Sequence, residues 1–131
     1  MKIKYSPKNN PRVIIIQKLY GKLINNEESL IFPKHRFKKF IKDIVNGTLE
    51  RDDVINVEVD KYLKEEFDVK KMDKVFQVII KSAIFELLYR PKTSKKIIIK
   101  EYLNASNYFI DVSQTKYLNA LLDKISKKIR F

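Results

Sequence analysis

The stretch "MDKVFQVIIKSAIFELLYR", residues 72–90, is the most apolar segment of this 131-residue chain. Its apolar residues surround most of a helical cylinder instead of forming one stripe, which is typical of a helix that is buried on nearly all sides. Pro91 follows directly and ends the pattern, because proline cannot continue a helix. The segment therefore predicts a central helix around which the other elements pack.

The residues before this segment also carry helical patterns. Asn10 followed by Pro11 places a capping oxygen before a first-turn proline, so we expect a helix from Pro11 to about Ile24. A second helix is predicted by apolar residues at spacings of three and four, namely Phe37, Phe40, Ile41, Ile44 and Val45. Gly47 either ends this helix or lies inside it where two helices approach closely.

A short alternating stretch, "VINVEV" at residues 54–59, fits a strand by its pattern. We favour a helix there, because the sequence offers no second strand to pair with it. After the central segment, helices are predicted at residues 97–109 and at about 114–129. The sequence thus predicts an all-α bundle of six or seven helices in one domain, with residues 1–10 as a flexible basic arm.

The composition limits the class of protein. The chain is 44% hydrophobic and 34% charged, which suits one folded domain with a single core. It contains no cysteine, so neither a disulfide framework nor a cysteine metal site is possible. No apolar run approaches the roughly 18 residues of a membrane span, and the start of the chain has no apolar signal-peptide core. We expect a cytoplasmic protein without a membrane partner.

The net charge of +12 suggests a polyanionic partner such as RNA, DNA or an acidic membrane surface. Lysine, isoleucine and asparagine dominate the composition, however, and an AT-rich genome produces this bias whatever the function. Charge alone therefore leaves both interpretations open.

The sequence offers little support for catalysis. The single histidine, His35, is expected to be a solvated residue at a helix start, and no glycine-rich phosphate loop is present. Ser94, Ser106 and Ser113 have no obvious base nearby in sequence. We therefore expect no catalytic residue, no metal and no cofactor, and we favour a binding module over an enzyme.

Tyrosines beside cations give a better indication of function. Lys61 precedes Tyr62, and Lys116 precedes Tyr117. In RNA-binding proteins a cation holds phosphate while a ring stacks on a base. The alternative is that each tyrosine is half-buried with its hydroxyl at the surface.

Three stretches together resemble the NusB transcription-antitermination family. "PRVIIIQKLY" at residues 11–20 is similar to its opening helix, and "FQVIIKSAIFELLYRP" at residues 76–91 is similar to its central helix. "IIIKEYLNASNYFIDVSQTKYLNALLDKI" at residues 97–125 resembles its C-terminal pattern. The order and spacing hold across residues 11–129, so the resemblance covers nearly the whole chain.

The resemblance implies an all-helical fold of two packed three-helix subdomains, at about residues 11–68 and 72–131. It implies binding of boxA-type single-stranded RNA together with NusE, a ribosomal protein, in a complex that lets RNA polymerase pass terminators, notably in ribosomal RNA operons. It implies neither catalysis nor a cofactor. The surface for NusE is expected on the second subdomain, built partly from the helix at residues 72–90.

The resemblance also suggests residues for RNA binding. Arg12 matches an RNA-facing arginine at the exposed start of the first helix, Tyr117 beside Lys116 matches a phenylalanine that packs on RNA, and Tyr62 matches a tyrosine near RNA. Gln17 offers an amide to RNA or to a neighbouring helix. The complete expected set is Lys8, Arg12, Gln17, Tyr62, Lys96, Lys116 and Tyr117.

Other matching positions have less certain roles or differ from the family pattern. Glu86 and Leu87 are expected to be structural, while Asn119 and Asp123 fit packing, capping or contact equally well. Before the first helix, "SPKNNPR" offers only Lys8 and Arg12 where the family often carries an arginine-rich run, and "DVSQTK" replaces a more acidic approach to the last helix. Further departures are Lys81, Lys100 and Ala120, which replace an arginine, an asparagine and a glycine. Two other functions therefore stay open: an accessory domain associated with ribosomal RNA modification, and a protein-interaction module without RNA binding.

Overall fold

A computed structural model of the chain describes residues 7–26, 29–63 and 72–130. These residues contain six α-helices and no strand, which confirms the predicted all-α bundle. The helices are α1 (Pro11–Ile24), α2 (Lys38–Glu50), α3 (Asp52–Leu63), α4 (Lys74–Tyr89), α5 (Lys95–Ser106) and α6 (Val112–Ile129).

The predicted helix positions are confirmed, with small differences at the ends of the later helices. α5 begins earlier than predicted, because the Ser94 hydroxyl accepts a hydrogen bond from the Ile97 N–H at 3.2 Å and caps the helix. α6 also begins earlier, because Asp111 and Gln114 form a capping box. Both caps are short polar side chains that the apolar periodicity does not register.

The alternating stretch at residues 54–59 belongs to α3, as expected. The buried side chains of this helix are Ile55, Val59 and Leu63, which recur every four residues and form its core face. Val54 and Val57 are exposed, and their presence on the outer face produces the misleading alternation in the sequence.

α4 is the central helix that the sequence predicts. It contacts each of the other five helices, and most of its side chains from Phe76 to Leu87 are buried. A single cluster of buried side chains extends from α1 to α6. The predicted division into two subdomains between residues 68 and 72 stays a prediction, and residues 64–71 lie outside the described part of the chain.

Gly47 lies inside α2, which supports the close-approach interpretation of this residue. A Cβ atom at this position would overlap the ring of Phe85 in α4. The missing side chain lets the Phe85 ring pack directly on the backbone of α2, so this glycine serves helix packing and not a turn.

The flexible arm predicted for residues 1–10 stays a prediction, and residues 1–6 of it lie outside the described residues. Pro7–Asn9 forms a short 3₁₀ helix, and the buried Asn10 side chain accepts the N–H groups of Arg12 and Val13. His35 is half-buried and not fully solvated, because its Nε2 lies 3.1 Å from the Lys8 carbonyl while Nδ1 accepts the Phe37 N–H.

Arg130, directly after α6, holds the C-terminal end of α4. Its guanidinium donates hydrogen bonds to the carbonyls of Glu86, Leu87, Arg90 and Thr93. The last carbonyls of a helix lack partners within the helix and carry partial negative charge, so a cation at this place is stabilising.

Candidate nucleic-acid interface

Arg12, which the sequence places at the exposed start of α1, is buried. Its Nε donates to Glu86 Oε2 at 3.0 Å and its Nη2 to Glu86 Oε1 at 2.7 Å. The Arg12 side chain is 11% exposed and the Glu86 side chain is 0% exposed. The predicted exposure of Arg12 is therefore wrong, because the guanidinium neutralises a carboxylate inside the most apolar helix, where an unpaired charge is very unfavourable.

Aromatic rings line the Arg12 guanidinium. Its Cζ lies 5.0 Å from the centroid of the Phe40 ring and 5.4 Å from that of Tyr102. The Arg90 guanidinium also contacts the Phe40 ring, at 5.3 Å. Such contacts between cations and rings are favourable, most of all when water is excluded. Arg12 thus joins α1, α2, α4 and α5 at one buried point.

The surroundings of Arg12 shift two pKa values. Burial raises the pKa of Tyr102 well above its usual range, and the Glu86 carboxylate raises it further, so the phenol stays neutral. Burial by itself lowers the pKa of Arg12, but Tyr102 and Glu86 reverse the direction and leave its pKa above the ordinary value. Arg12 therefore stays a guanidinium cation in this buried environment.

Tyr117 lies near the start of α6 and is 42% exposed. Its ring stacks on the buried ring of Phe76 in α4, with centroids 5.8 Å apart and an interplanar angle of 28°. Lys116 beside it is exposed. The geometry gives a surface ring supported by the core, of the kind on which a nucleic-acid base stacks.

The start of α6 is held firmly by its cap. Asp111 Oδ1 accepts the Gln114 N–H at 2.8 Å, and Gln114 Oε1 accepts the Asp111 N–H at 3.1 Å. Hydrogen bonds from Gln114 and Ser113 lower the pKa of Asp111, so this carboxylate is ionised at neutral pH. The cap fixes the first turn of α6, which directly precedes Lys116 and Tyr117.

A groove of about 320 Å³ runs between α5 and α6, and we call it the α5–α6 groove. Its sides combine cations, amides, a carboxylate and apolar groups. The lining residues are Lys96, Ile99, Lys100, Leu103, Asn104, Asn119 and Asp123. The structure therefore brings Lys96 together with Asn119 and Asp123, and it places Lys116 and Tyr117 on the same pair of helices.

The remaining predicted RNA-binding residues belong to other elements. Lys8 is exposed in the 3₁₀ helix, and Gln17 is exposed on α1. Tyr62 is half-buried near the end of α3, where the Lys61 Nζ lies 5.0 Å from its ring centroid. The exposure of Gln17 disfavours the alternative that its amide is buried against a neighbouring helix.

A second groove, of about 390 Å³, lies between α1 and α4, and we call it the α1–α4 groove. Its lining includes Leu19, Leu23, Leu49 and Val78 as apolar residues. At its polar side, Lys81 Nζ donates to Asp52 Oδ1 at 2.9 Å and ties α4 to the start of α3.

Sequence reasoning did not identify the structural roles of Arg130 or the partner of Arg12. The sequence did contain a signal for the partner of Arg12. Glu86 is an acidic residue within the most apolar stretch, and a buried carboxylate requires a cation. Arg130 offered no comparable signal, because its four acceptors are backbone carbonyls that only the fold brings together.

Two further properties concern the described residues alone. They contain no group of three or more histidine, cysteine or carboxylate side chains placed to hold a metal ion. Among these residues no helix is both long and apolar enough to cross a membrane.

Comparisons with known proteins agree on one family. A family model described as the NusB family matches residues 9–127. The transcription antitermination protein NusB of Bradyrhizobium diazoefficiens is 24% identical over 91 residues, which cover 70% of this chain and 55% of that protein. The corresponding protein of Lysinibacillus sphaericus is 29% identical over 89 residues, covering 68% of this chain and 69% of that protein. The match thus spans little more than half of the first relative.

The fold agrees as well. The solved structure of T. maritima NusB superposes with a TM-score of 0.79 at 19% identity, covering 96% of this chain and 94% of that one. This likeness concerns the fold. Because the family model extends over nearly the entire sequence, we conclude that the chain belongs to the NusB family.

Proposed function

We propose that this protein is a transcription antitermination factor that binds boxA-type single-stranded RNA together with NusE. In this proposal the pair joins an antitermination complex that allows RNA polymerase to pass terminators. Membership of the NusB family supports the proposal, as do the antitermination relatives. The exposed cations and the surface ring on α5 and α6 supply the chemistry that RNA binding needs.

The observation that carries the RNA proposal is the stack of Tyr117 on Phe76. A ring that is fixed from below loses little conformational freedom when a base stacks on it. Stacking of one base on an aromatic side chain contributes roughly 1–3 kcal/mol, as judged by alanine substitution. This contribution does not depend on salt, so it is separable from the contribution of the lysines.

The proposed phosphate contacts are Lys8, Lys96 and Lys116, all of which are exposed. Each phosphate neutralised on a single strand changes the slope of log affinity against log salt by about −0.7, so two or three contacts give a slope of roughly −1.4 to −2. In this proposal Arg12 acts indirectly, as a positioning residue for the helices, since its guanidinium is paired with Glu86. Gln17 and Tyr62 remain proposed contacts.

For NusE we propose the α1–α4 groove. α4 is buried on most sides, and this groove is a place where its polar residues Gln77 and Lys81 reach the surface. Leu23 on α1 lines the same groove and is 41% exposed, so the groove offers apolar area to a protein partner. The surface includes part of the helix that the family resemblance suggests for NusE.

The proposal is tested by isolating the tagged protein with its bound partners from the cells that make it. Recovery of NusE and of ribosomal RNA leader sequences is the expected result. Recovery of a ribosomal RNA methyltransferase without NusE would contradict the proposal and would support the accessory-domain alternative. Recovery of protein partners without RNA would support a protein-interaction module.

A further inference from the structure

The α5–α6 groove contains hydrogen-bonding groups that the folded protein does not use. Among the described residues, the side-chain amides of Asn104 and Asn119 make no hydrogen bond, although both line the groove. An amide offers two N–H donors and a carbonyl acceptor, so both remain available to a ligand. Ile99 and Leu103, which are half-buried, provide an apolar wall beside them.

Asp123 is an unusual group for a face that would hold RNA. The cations Lys96 and Lys100 line the same groove, and a carboxylate among them weakens the attraction for phosphate. Its ion pair with Lys127, at 3.1 Å, joins two exposed side chains one helical turn apart, and such pairs contribute little to stability. Helix stability alone therefore gives little reason for a carboxylate here.

A nucleobase would make use of this carboxylate. An ionised carboxylate only accepts hydrogen bonds, through two adjacent oxygens. Among the four RNA bases, guanine is the one whose pairing edge presents two neighbouring donors, N1–H and the N2 amino group, and its O6 accepts a hydrogen bond from an amide or ammonium group. Single-stranded RNA exposes these edges to proteins.

We propose that the α5–α6 groove binds a guanine base of single-stranded RNA, with Asp123 accepting from N1–H and N2 and Asn119 donating to O6. Ile99 and Leu103 contact the base, while Lys96 and Lys100 hold neighbouring phosphates. This inference rests on the proposed RNA binding and adds a base preference to it. Asp123 is then a specificity-determining residue, whereas Tyr117 provides stacking that tolerates any base.

The test measures fluorescence anisotropy of short oligouridylates that carry one central guanosine, adenosine or inosine. The full chain should bind the guanosine RNA more tightly than the adenosine RNA, by roughly five- to 100-fold for a good two-point contact. Inosine lacks the N2 amino group and should lose most of this preference. Asp123→Asn should abolish the preference for guanosine over adenosine, while plain oligouridylate binds as well as before or more tightly, because a negative charge has gone.

Asp43→Asn is the matched control. Asp43 pairs with Lys39 at 2.9 Å across one turn of α2, so this variant removes the same kind of ion pair away from the groove, and it should keep the guanosine preference. If the unmodified chain binds these RNAs without preferring guanosine, or if Asp123→Asn keeps the preference, the guanine site is overturned while RNA binding stands. If the chain binds none of these RNAs, the guanine site is overturned, while the proposed function is decided separately by the affinity for boxA-type RNA in the presence of NusE.

Discussion

The Arg12 guanidinium donates two hydrogen bonds to the Glu86 carboxylate, across 74 residues of sequence. The pair joins the first turn of α1 to the last turn of α4 inside the core. Planar two-point pairing of this kind is strong and specific in direction. Arg12 at the start of α1 is therefore a structural link between helices, and it is not a free cation for phosphate.

Arg12→Ala should lower the free energy of unfolding by about 3–5 kcal/mol, because it leaves the Glu86 carboxylate buried without a partner. The double variant Arg12→Met with Glu86→Leu should recover much of that loss, since it removes both charges and keeps apolar volume. Urea unfolding at neutral pH measures these differences. A single variant as stable as the parent would show that the pair is not formed in solution.

Because Arg12 is paired with Glu86, it should not contribute to the salt dependence of RNA binding. Arg12→Lys keeps the positive charge but loses the planar two-point contact, so it should destabilise the fold without changing the slope of log RNA affinity against log salt. Lys116→Ala should reduce the magnitude of that slope by about 0.7. Both variants are compared by binding titrations at several salt concentrations. Circular dichroism first shows that each variant is folded. A change in slope with Arg12→Lys would contradict the assignment of Arg12.

Gly47→Ala should destabilise the protein, although alanine favours helices over glycine by up to about 1 kcal/mol. The added Cβ overlaps the Phe85 ring, and forced overpacking of this kind costs about 1–3 kcal/mol. Combining it with Phe85→Leu should relieve part of the loss. Thermal unfolding measures the effect, and Gly21→Ala in α1 serves for comparison. Stabilisation by Gly47→Ala would show that α2 and α4 are further apart than described.

Arg130→Ala should destabilise the C-terminal end of α4, because the carbonyls of Glu86, Leu87 and Arg90 lose their charged donor. Hydrogen bonds to charged groups contribute about 1.5–3 kcal/mol each at most, and the bonds to one guanidinium are not additive. Arg130→Lys should restore only part of the stability, since an ammonium lacks the planar fork. Hydrogen exchange of the last turn of α4 should accelerate, and unchanged exchange would contradict the clamp.

Leu23→Asp should weaken binding of NusE by about 2 kcal/mol, the usual scale for an important apolar contact in a protein interface. Leu23 is exposed at the α1–α4 groove, so the substitution should leave the fold intact. Ile31→Asp is the control, because Ile31 is 71% exposed and does not line that groove. Calorimetry with purified NusE measures the affinity of both variants and of the parent. If Leu23→Asp binds NusE as tightly as the parent, NusE does not bind at the α1–α4 groove.

Much of this fold follows from sequence patterns of short range. Asn10 and Pro11 define the start of α1, and the apolar pattern from Phe76 to Leu87 predicts a buried central helix. Both signals depend on neighbours within a few residues, which the sequence displays directly. The close approach at Gly47 was one of two alternatives, and only the position of Phe85 on another helix decides between them.

The environment of Arg12 could not be predicted in the same way. Its position in the first turn of a helix is compatible with exposure to solvent, and its burial results from Glu86, Phe40 and Tyr102 on three other helices. The α5–α6 groove is likewise a product of two helices that pack side by side. Family resemblance suggested Tyr117 beside Lys116, while the supporting Phe76 ring emerged from the fold.

The most direct test of the proposed function is the affinity for a boxA-type RNA, measured with and without NusE for the parent, Tyr117→Phe and Tyr117→Ala. We expect NusE to strengthen binding by the parent, and Tyr117→Phe to bind nearly as well because the ring provides the stacking. Tyr117→Ala should lose roughly 1–3 kcal/mol with an unchanged salt slope. If Tyr117→Ala binds as tightly as the parent in the presence of NusE, RNA does not contact this face of α6 and the proposed interface is wrong.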